Sequence, residues 1–169
     1  FGDSLYNMML TAKMDKIKVY RYSDLGLGFL QKVTERIYGS SIDKVADSLL
    51  YAPMGLSSIS YKPLARYPLS RIVPTENESL FRQQLLQGYV HDPAAALLGG
   101  VAGSAGIFAN AADVAKIMQL FLDKGKYGNQ QIISTETVSR FTSRHDNLNR
   151  RGLGFDKPDT TSVSISPVC

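Results

Sequence analysis

Apolar residues spaced four apart constrain this chain more than any other feature. Leu25, Phe29, Val33 and Ile37, with Leu30 beside them, recur once per helical turn and stop at Gly39. That spacing predicts a helix opening at Ser23, with the stripe turned inward and the glycine closing the last turn. A second helix is expected from Ile42 to about Tyr51, burying Ile42, Val45, Ala46, Leu49 and Leu50 before Pro53-Met54-Gly55 ends it. Asn110 caps a third helix through Leu122, with Asp113 in a capping-box-like position and Val114, Ile117, Met118 and Phe121 inward. Lys124-Gly125 stops it. Ser134 caps a fourth that carries Val138 and Phe141.

Between these helices the period fades. Asp3 to Lys13 and Glu78 to Leu86 are expected to be short helices, and Lys16 to Tyr20 a loop or brief extended piece. Residues 57–76, rich in Ser, Pro, Tyr and Arg, predict a long surface connection. Ser162 to Ile165 alternates weakly like a strand. The chain is therefore expected to be mostly helical with at most scraps of sheet.

Composition closes off several function classes. The 169 residues, 44% of them hydrophobic, suffice for one domain with a core. No apolar run is long enough to cross a membrane. The net charge is +4, and the cluster Arg140, Arg144, Arg150 and Arg151 lacks the density and aromatic interleaving of a nucleic-acid surface. Cys169 has no internal partner, which leaves the redox compartment open. Two distant histidines make no metal-ligand pattern, so no metal or other cofactor is expected. The opening Phe1-Gly2-Asp3 suggests a piece of a longer protein and carries no visible signal peptide.

Tyr22-Ser23-Asp24, at the mouth of the first periodic helix, is the strongest chemical candidate. A tyrosine and a short polar side chain two positions apart can aim a phenolic oxygen and a hydrogen-bonding group into one cleft. To act as a base near neutral pH, a phenol of pKa about 10 needs roughly 4 kcal/mol of help from cations or donors. Staying neutral, it can relay a proton between a serine and a lysine. Equally, Tyr22 can pack its ring at the helix entrance while Asp24 assists the first turn. The string Ser41-Ile42-Asp43-Lys44 has the Ser-x-x-Lys spacing, yet Ser41 follows Gly39 where an N-cap belongs. His91-Asp92 offers a base and a carboxylate, although neighbours in sequence seldom face one another and Asp92-Pro93 also starts turns.

Gly99-Gly100-Val101-Ala102-Gly103-Ser104-Ala105-Gly106 places four glycines in eight residues. Its backbone can approach a ligand or another element closely. Strand, helix and lysine context for a phosphate loop is missing, and no Gly-x-Ser-x-Gly elbow surrounds Ser104.

Taken in order, Tyr22-Ser23-Asp24-Leu25-Gly26, Pro53-Met54-Gly55-Leu56, Pro74-Thr75-Glu76, Gly88-Tyr89-Val90-His91-Asp92, the run Gly99 to Phe108 and Arg151-Gly152-Leu153-Gly154-Phe155 resemble the serine β-lactamase-related family. The likeness, over roughly residues 15–156, is to the class C β-lactamase, penicillin-binding protein and esterase-like group, particularly members fused behind a family 3 glycoside hydrolase. It implies an α+β, β-lactamase/transpeptidase-like fold of which this stretch, mainly α, is the helical region with little of the sheet. Residues 1–169 would form one partial domain, with the Ser/Thr-rich 157–169 disordered.

The resemblance further implies a periplasmic or cell-surface serine hydrolase that forms an acyl-enzyme on a β-lactam, peptide or ester. Tyr22 matches the family tyrosine, a general base or proton relay, and Asp24 stands where asparagine is commoner. Ser23, His91, Asp92, Ser104, Ala105 and Gly106 would line the substrate cleft, Ser104 replacing the histidine of a His-Ala-Gly triplet. The family's catalytic Ser-x-x-Lys lies upstream of the tyrosine and its Lys/His-Thr-Gly downstream, and neither is present here, so the isolated chain is expected to be inactive. A non-catalytic binding or structural domain of a cell-envelope protein is the alternative. Helices without their sheet would expose apolar faces and self-associate.

Overall fold

A computed structural model describes residues 2–13, 22–145 and 149–158. They divide into two compact units, one running from the start of the chain to Val114 without residues 18–21, the other from Ala115 onward. The expected extended piece at Lys16 to Tyr20 and the strand at Ser162 to Ile165 lie outside the described residues.

In the first unit, α1 (Gly2–Leu10) is followed by α2 (Leu25–Tyr38), which Gly39 ends in a left-handed conformation at φ 62°. The helix is where the period placed it, but its apolar stripe is not buried. Leu25, Leu30, Val33 and Ile37 are 44, 60, 53 and 72% exposed. Gly28 and Gln31 form the buried side instead. Close approach explains this: a Cβ at Gly28 would come within 2.7 Å of Met9 Cε, so α1 packs where α2 has no side chain. Lys32 sets its ammonium 4.4 Å from the Tyr6 ring centre.

The second expected helix is α3 (Ile42–Ala46) running into a π-helical turn (Asp47–Tyr51), in which Ala52 N–H donates to the Asp47 carbonyl at 2.8 Å. Val45 and Tyr51 are buried, whereas Leu49 is half exposed, because the wider turn rotates the residues that follow Ala46. Ser41 holds the N-cap position with extended backbone but makes no capping bond through its side chain. Glu35 performs that task, its Oε1 accepting from Ile42 N–H at 3.2 Å.

The segment 57–76 is no plain surface connection. It contains β1 (Ser60–Tyr61), two 3-10 turns and the core residues Ile59 and Ile72, which are 2 and 8% exposed. Nor is Glu78 to Leu86 a helix. β2 (Pro74–Glu78) and β3 (Gln84–Gln87) form an antiparallel hairpin that pairs Glu78 with Gln84 and Asn77 with Leu85, with a bulge between Pro74 and Glu76. The turn is built by Glu78, whose carboxylate accepts from the backbone N–H groups of Leu80, Phe81 and Arg82. Those donors, the Arg82 and Phe81 amides first, hold its pKa down to about 2.

After the hairpin come α4 (Pro93–Leu97) and β4 (Ile107–Phe108), and β4 pairs antiparallel with β1, Ser60 opposite Phe108 and Tyr61 opposite Ile107. Val90, Ala95 and Ala102 form a core cluster against Ala96, Leu98 and Ala105. Helix α5 (Ala111–Leu122) begins in this unit, with the Asn110 carboxamide accepting from Asp113 N–H at 2.8 Å as expected of a cap. Asp113 itself is buried and Val114 is exposed, the reverse of the expected face. Asp113 Oδ2 accepts from both the amide and the hydroxyl of Ser58, at 2.8 and 2.7 Å, which orients the helix start.

In the second unit, α5 buries Leu120 completely and leaves Met118 half exposed. Lys124 and Gly125, both at positive φ, end it and lead to the small hairpin β5 (Lys126–Tyr127) and β6 (Gln130–Gln131). Helix α6 (Thr135–Thr142) is capped by Ser134, whose hydroxyl accepts from Thr137 N–H, and it buries Val138. Phe121 meets Phe155 edge to face at 4.9 Å. Arg150 grips Asp156 through Nε and Nη2 at 2.7 and 3.0 Å, and that fork lowers the carboxyl to about pKa 2. Every sheet among the described residues has two strands.

Candidate functional site

Tyr22 and Asp24 sit at the mouth of α2, both exposed. The Tyr22 hydroxyl donates to Asp24 Oδ1 at 3.0 Å. Asp24 occupies the N-cap position without a capping side-chain bond, and the first-turn amide of Leu25 donates to Ser23 Oγ at 3.2 Å instead. The carboxylate is thereby left to accept from the phenol.

The glycine run lies against the opposite, buried side of the same helix. Gln31 Oε1 accepts from Gly103 N–H at 2.9 Å and from the Tyr6 hydroxyl at 3.3 Å. Its Nε2 donates to Glu35 Oε1 at 3.0 Å and reaches the Val101 carbonyl at 3.4 Å. One buried carboxamide thus ties α1, α2 and the run together with no polar atom wasted. Contact is direct at Gly103, where a Cβ would fall 2.5 Å from the Leu27 carbonyl.

Ser104, Ala105, Gly106 and His91 share a cleft of about 370 Å³ with Tyr61 and Thr75. Gly106, at φ 115°, brings its backbone beside the Gly100 carbonyl and the Tyr61 ring. Tyr61 donates its hydroxyl to the Ala102 carbonyl at 3.1 Å, and burial, followed by Tyr51 and Asp43, pushes its pKa up to about 12. It is therefore a fixed donor in the wall and no base. Thr75 points its hydroxyl at the carbonyls of Leu86 and Tyr89.

Tyr22, Ser23, Asp24 and Asp92 do not line this cleft. Asp92 caps α4, its Oδ1 accepting from Ala95 N–H at 2.6 Å, so its carboxylate does not orient the His91 ring. The loop before it is held by Arg82, which donates to the carbonyls of Val90 and His91. Gln31, Tyr61 and Thr75 were not singled out by sequence, for the partners that define them lie 11 to 72 residues away. Gln31 alone has a local signal, a polar residue on the side of α2 opposite its apolar stripe. No group of three or more His, Cys, Asp or Glu side chains that could hold a metal occurs among the described residues.

The helical core, the tyrosine at a helix mouth and the glycine run pressed beneath it define a β-lactamase/transpeptidase-like fold. The chain belongs to the Beta-lactamase family, whose model matches residues 12–163. It is 33% identical over 146 residues to a protein of Escherichia coli K12 named "Putative D-alanyl-D-alanine carboxypeptidase", covering 79% of this chain. The match takes in 34% of that protein, so the chain spans about a third of its relative's length. Among solved structures it resembles one described as a "putative beta-lactamase" from Bacteroides dorei, with TM-score 0.62 and 17% identity over 90% of this chain and 43% of that one. A D-amino acid amidase from Ochrobactrum anthropi superposes with TM-score 0.60 and 12% identity over 84% of this chain and 38% of that one. The fold is therefore shared among proteins described by different activities.

Proposed function

We propose that this chain supplies the proton-handling tyrosine and one wall of the substrate cleft to a serine hydrolase. The reaction proceeds through an acyl-enzyme on a β-lactam, a peptide or an ester. The observation that carries this reading is the Tyr22 to Asp24 hydrogen bond at the mouth of α2, in the position of the family tyrosine. The Tyr22 hydroxyl donates to Asp24, a geometry that suits a relay between serine and lysine. His91, Ser104, Ala105 and Gly106 then face the substrate, and Asp92 keeps the loop under His91 in place. The carboxypeptidase name borne by the Escherichia coli relative makes a peptide the first substrate to try. A periplasmic or cell-surface location and a fused glycoside hydrolase belong to the same proposal.

Neither the catalytic Ser-x-x-Lys upstream of Tyr22 nor a downstream Lys/His-Thr-Gly occurs in these residues, so the chain alone is inactive. Loss of a nucleophile costs on the order of a millionfold in turnover. The test is covalent labelling of the full-length protein by a fluorescent penicillin, alongside nitrocefin and p-nitrophenyl ester assays. Tyr22→Phe is expected to slow acylation by about 10²- to 10⁴-fold. Labelling unaffected by Tyr22→Phe would remove the tyrosine from the mechanism, and turnover by the isolated chain that this substitution abolishes would refute its inactivity.

A second reading, a binding or structural domain without catalysis, draws on Asp24. A carboxylate in place of an amide offers no N–H donor to a bound ligand. Reversible penicillin binding without a covalent adduct would favour that reading.

A further inference from the structure

A second cleft, of about 530 Å³, lies on the other side of the Val90 and Phe108 wall. Its lining is predominantly aliphatic and aromatic: Leu64, Leu86, Val90, Ala96 and Phe108, with Tyr89 at the rim. The only charged residues that line it are Lys62 and Arg82, and no carboxylate does. These two cations are in different states. Arg82 is committed through Nη1 and Nη2, which donate to the carbonyls of Val90 and His91, while its buried Nε, 3.9 Å from Glu78 Oε2, makes no hydrogen bond. Lys62 forms no ion pair or side-chain hydrogen bond among the described residues, and its stem runs over Gly100, at 3.7 Å from Cγ to a Cβ placed there.

Lys62 also has unusual backbone geometry. It takes φ 48° and ψ 62°, the left-handed region, immediately before the 3-10 turn that carries Leu64 into the cleft wall. Glycine would adopt that conformation without strain, so a lysine there is held at a cost that a purely structural turn does not require. An apolar cavity of drug-sized volume with one uncommitted cation at its edge selects an amphipathic anion over a neutral or cationic ligand.

We propose that this cleft binds a small aliphatic carboxylate, its chain among Leu64, Leu86 and Phe108 and its carboxylate on the Lys62 ammonium. The site is distinct from the cleft of Ser104 and His91, and its occupancy involves no turnover, so its failure and that of the hydrolase reading are separate results.

The test is titration of the ¹⁵N-labelled full chain with sodium octanoate below its micellar concentration, with octanol as the uncharged control. The amides of Gly88, Gly99 and Gly100, which border the cleft, are expected to shift saturably. Octanoate should bind at least fivefold more tightly than octanol. Lys62→Met, which keeps the stem and removes the charge, should abolish that preference, and Lys62→Arg should restore it. Absence of saturable shifts at the three glycines overturns the site. Equal affinity of the native protein for octanoate and octanol overturns the role of Lys62, whether or not either variant folds.

Discussion

Gln31 and Gly103, 72 residues apart, meet through a 2.9 Å hydrogen bond from the Gly103 amide to the Gln31 carboxamide oxygen, and this contact sets the glycine run on α2. Replacing Gln31 by leucine keeps the volume but strands the Gly103 N–H. We expect a loss of about 1–3 kcal/mol in urea unfolding, the cost of one unsatisfied buried donor. Gln31→Glu paired with Glu35→Gln, which retains an acceptor for Gly103 and keeps a donor–acceptor pair between positions 31 and 35, should lose less. Equal losses for both would show that packing, not the hydrogen bond, holds the run.

Gly103→Ala tests the same contact from the other side. Its Cβ would sit 2.5 Å from the Leu27 carbonyl, a backbone atom that cannot rotate away. A destabilisation of about 1–3 kcal/mol is expected, as for other overpacked positions. Gly26→Ala, where nothing lies within 4 Å of the added methyl, serves as the control and should be neutral or slightly stabilising. Thermal melts of both variants decide the matter.

Glu78 makes stability depend on acid in a definite direction. Its carboxyl is lowered from 4.5 to about 2 by backbone donors, so the folded state favours the ionised form. The contribution is complete above the ordinary carboxyl value and fades as pH falls from about 4.5 towards 2. Glu78→Gln should flatten that part of the profile, measured by the urea midpoint at successive pH values. An unchanged slope would assign the acid sensitivity elsewhere.

Asp24→Asn in the full-length protein separates relay from base. An amide can donate to a phenolate, which the carboxylate of Asp24 cannot. A rise in acylation rate at neutral pH would indicate that the native carboxylate restrains Tyr22, whereas a fall would mark it as a working acceptor. A rate unchanged within twofold would detach Asp24 from the chemistry.

The exposed stripe of α2 predicts self-association of this chain. Leu30, Val33 and Ile37 are all more than half exposed on one helical face. Light scattering should give a dimer or larger species, and the double substitution Val33→Lys, Ile37→Lys should return it to monomer. A monomeric native chain with a cooperative melt would exclude this association.

Sequence alone determined where α2 starts and stops, the capping roles of Asn110 and Ser134, and the order of motifs that marks the family. These features are local: a helical period, a glycine at positive φ and an oxygen three residues before an amide need no distant partner. Tertiary structure decided which helix face is buried, because periodicity marks a stripe but not what lies against it. On α2 the small Gly28 and the hydrogen-bonding Gln31 won that position from Leu30 and Val33. It likewise decided that Glu78 to Leu86 is a hairpin, since the Glu78 carboxylate gathers three successive amides into a turn. The assembly of His91, Tyr61 and Ser104 around one cleft rests on Gln31 and the pairing of β1 with β4, contacts between residues far apart in the chain that no local pattern encodes.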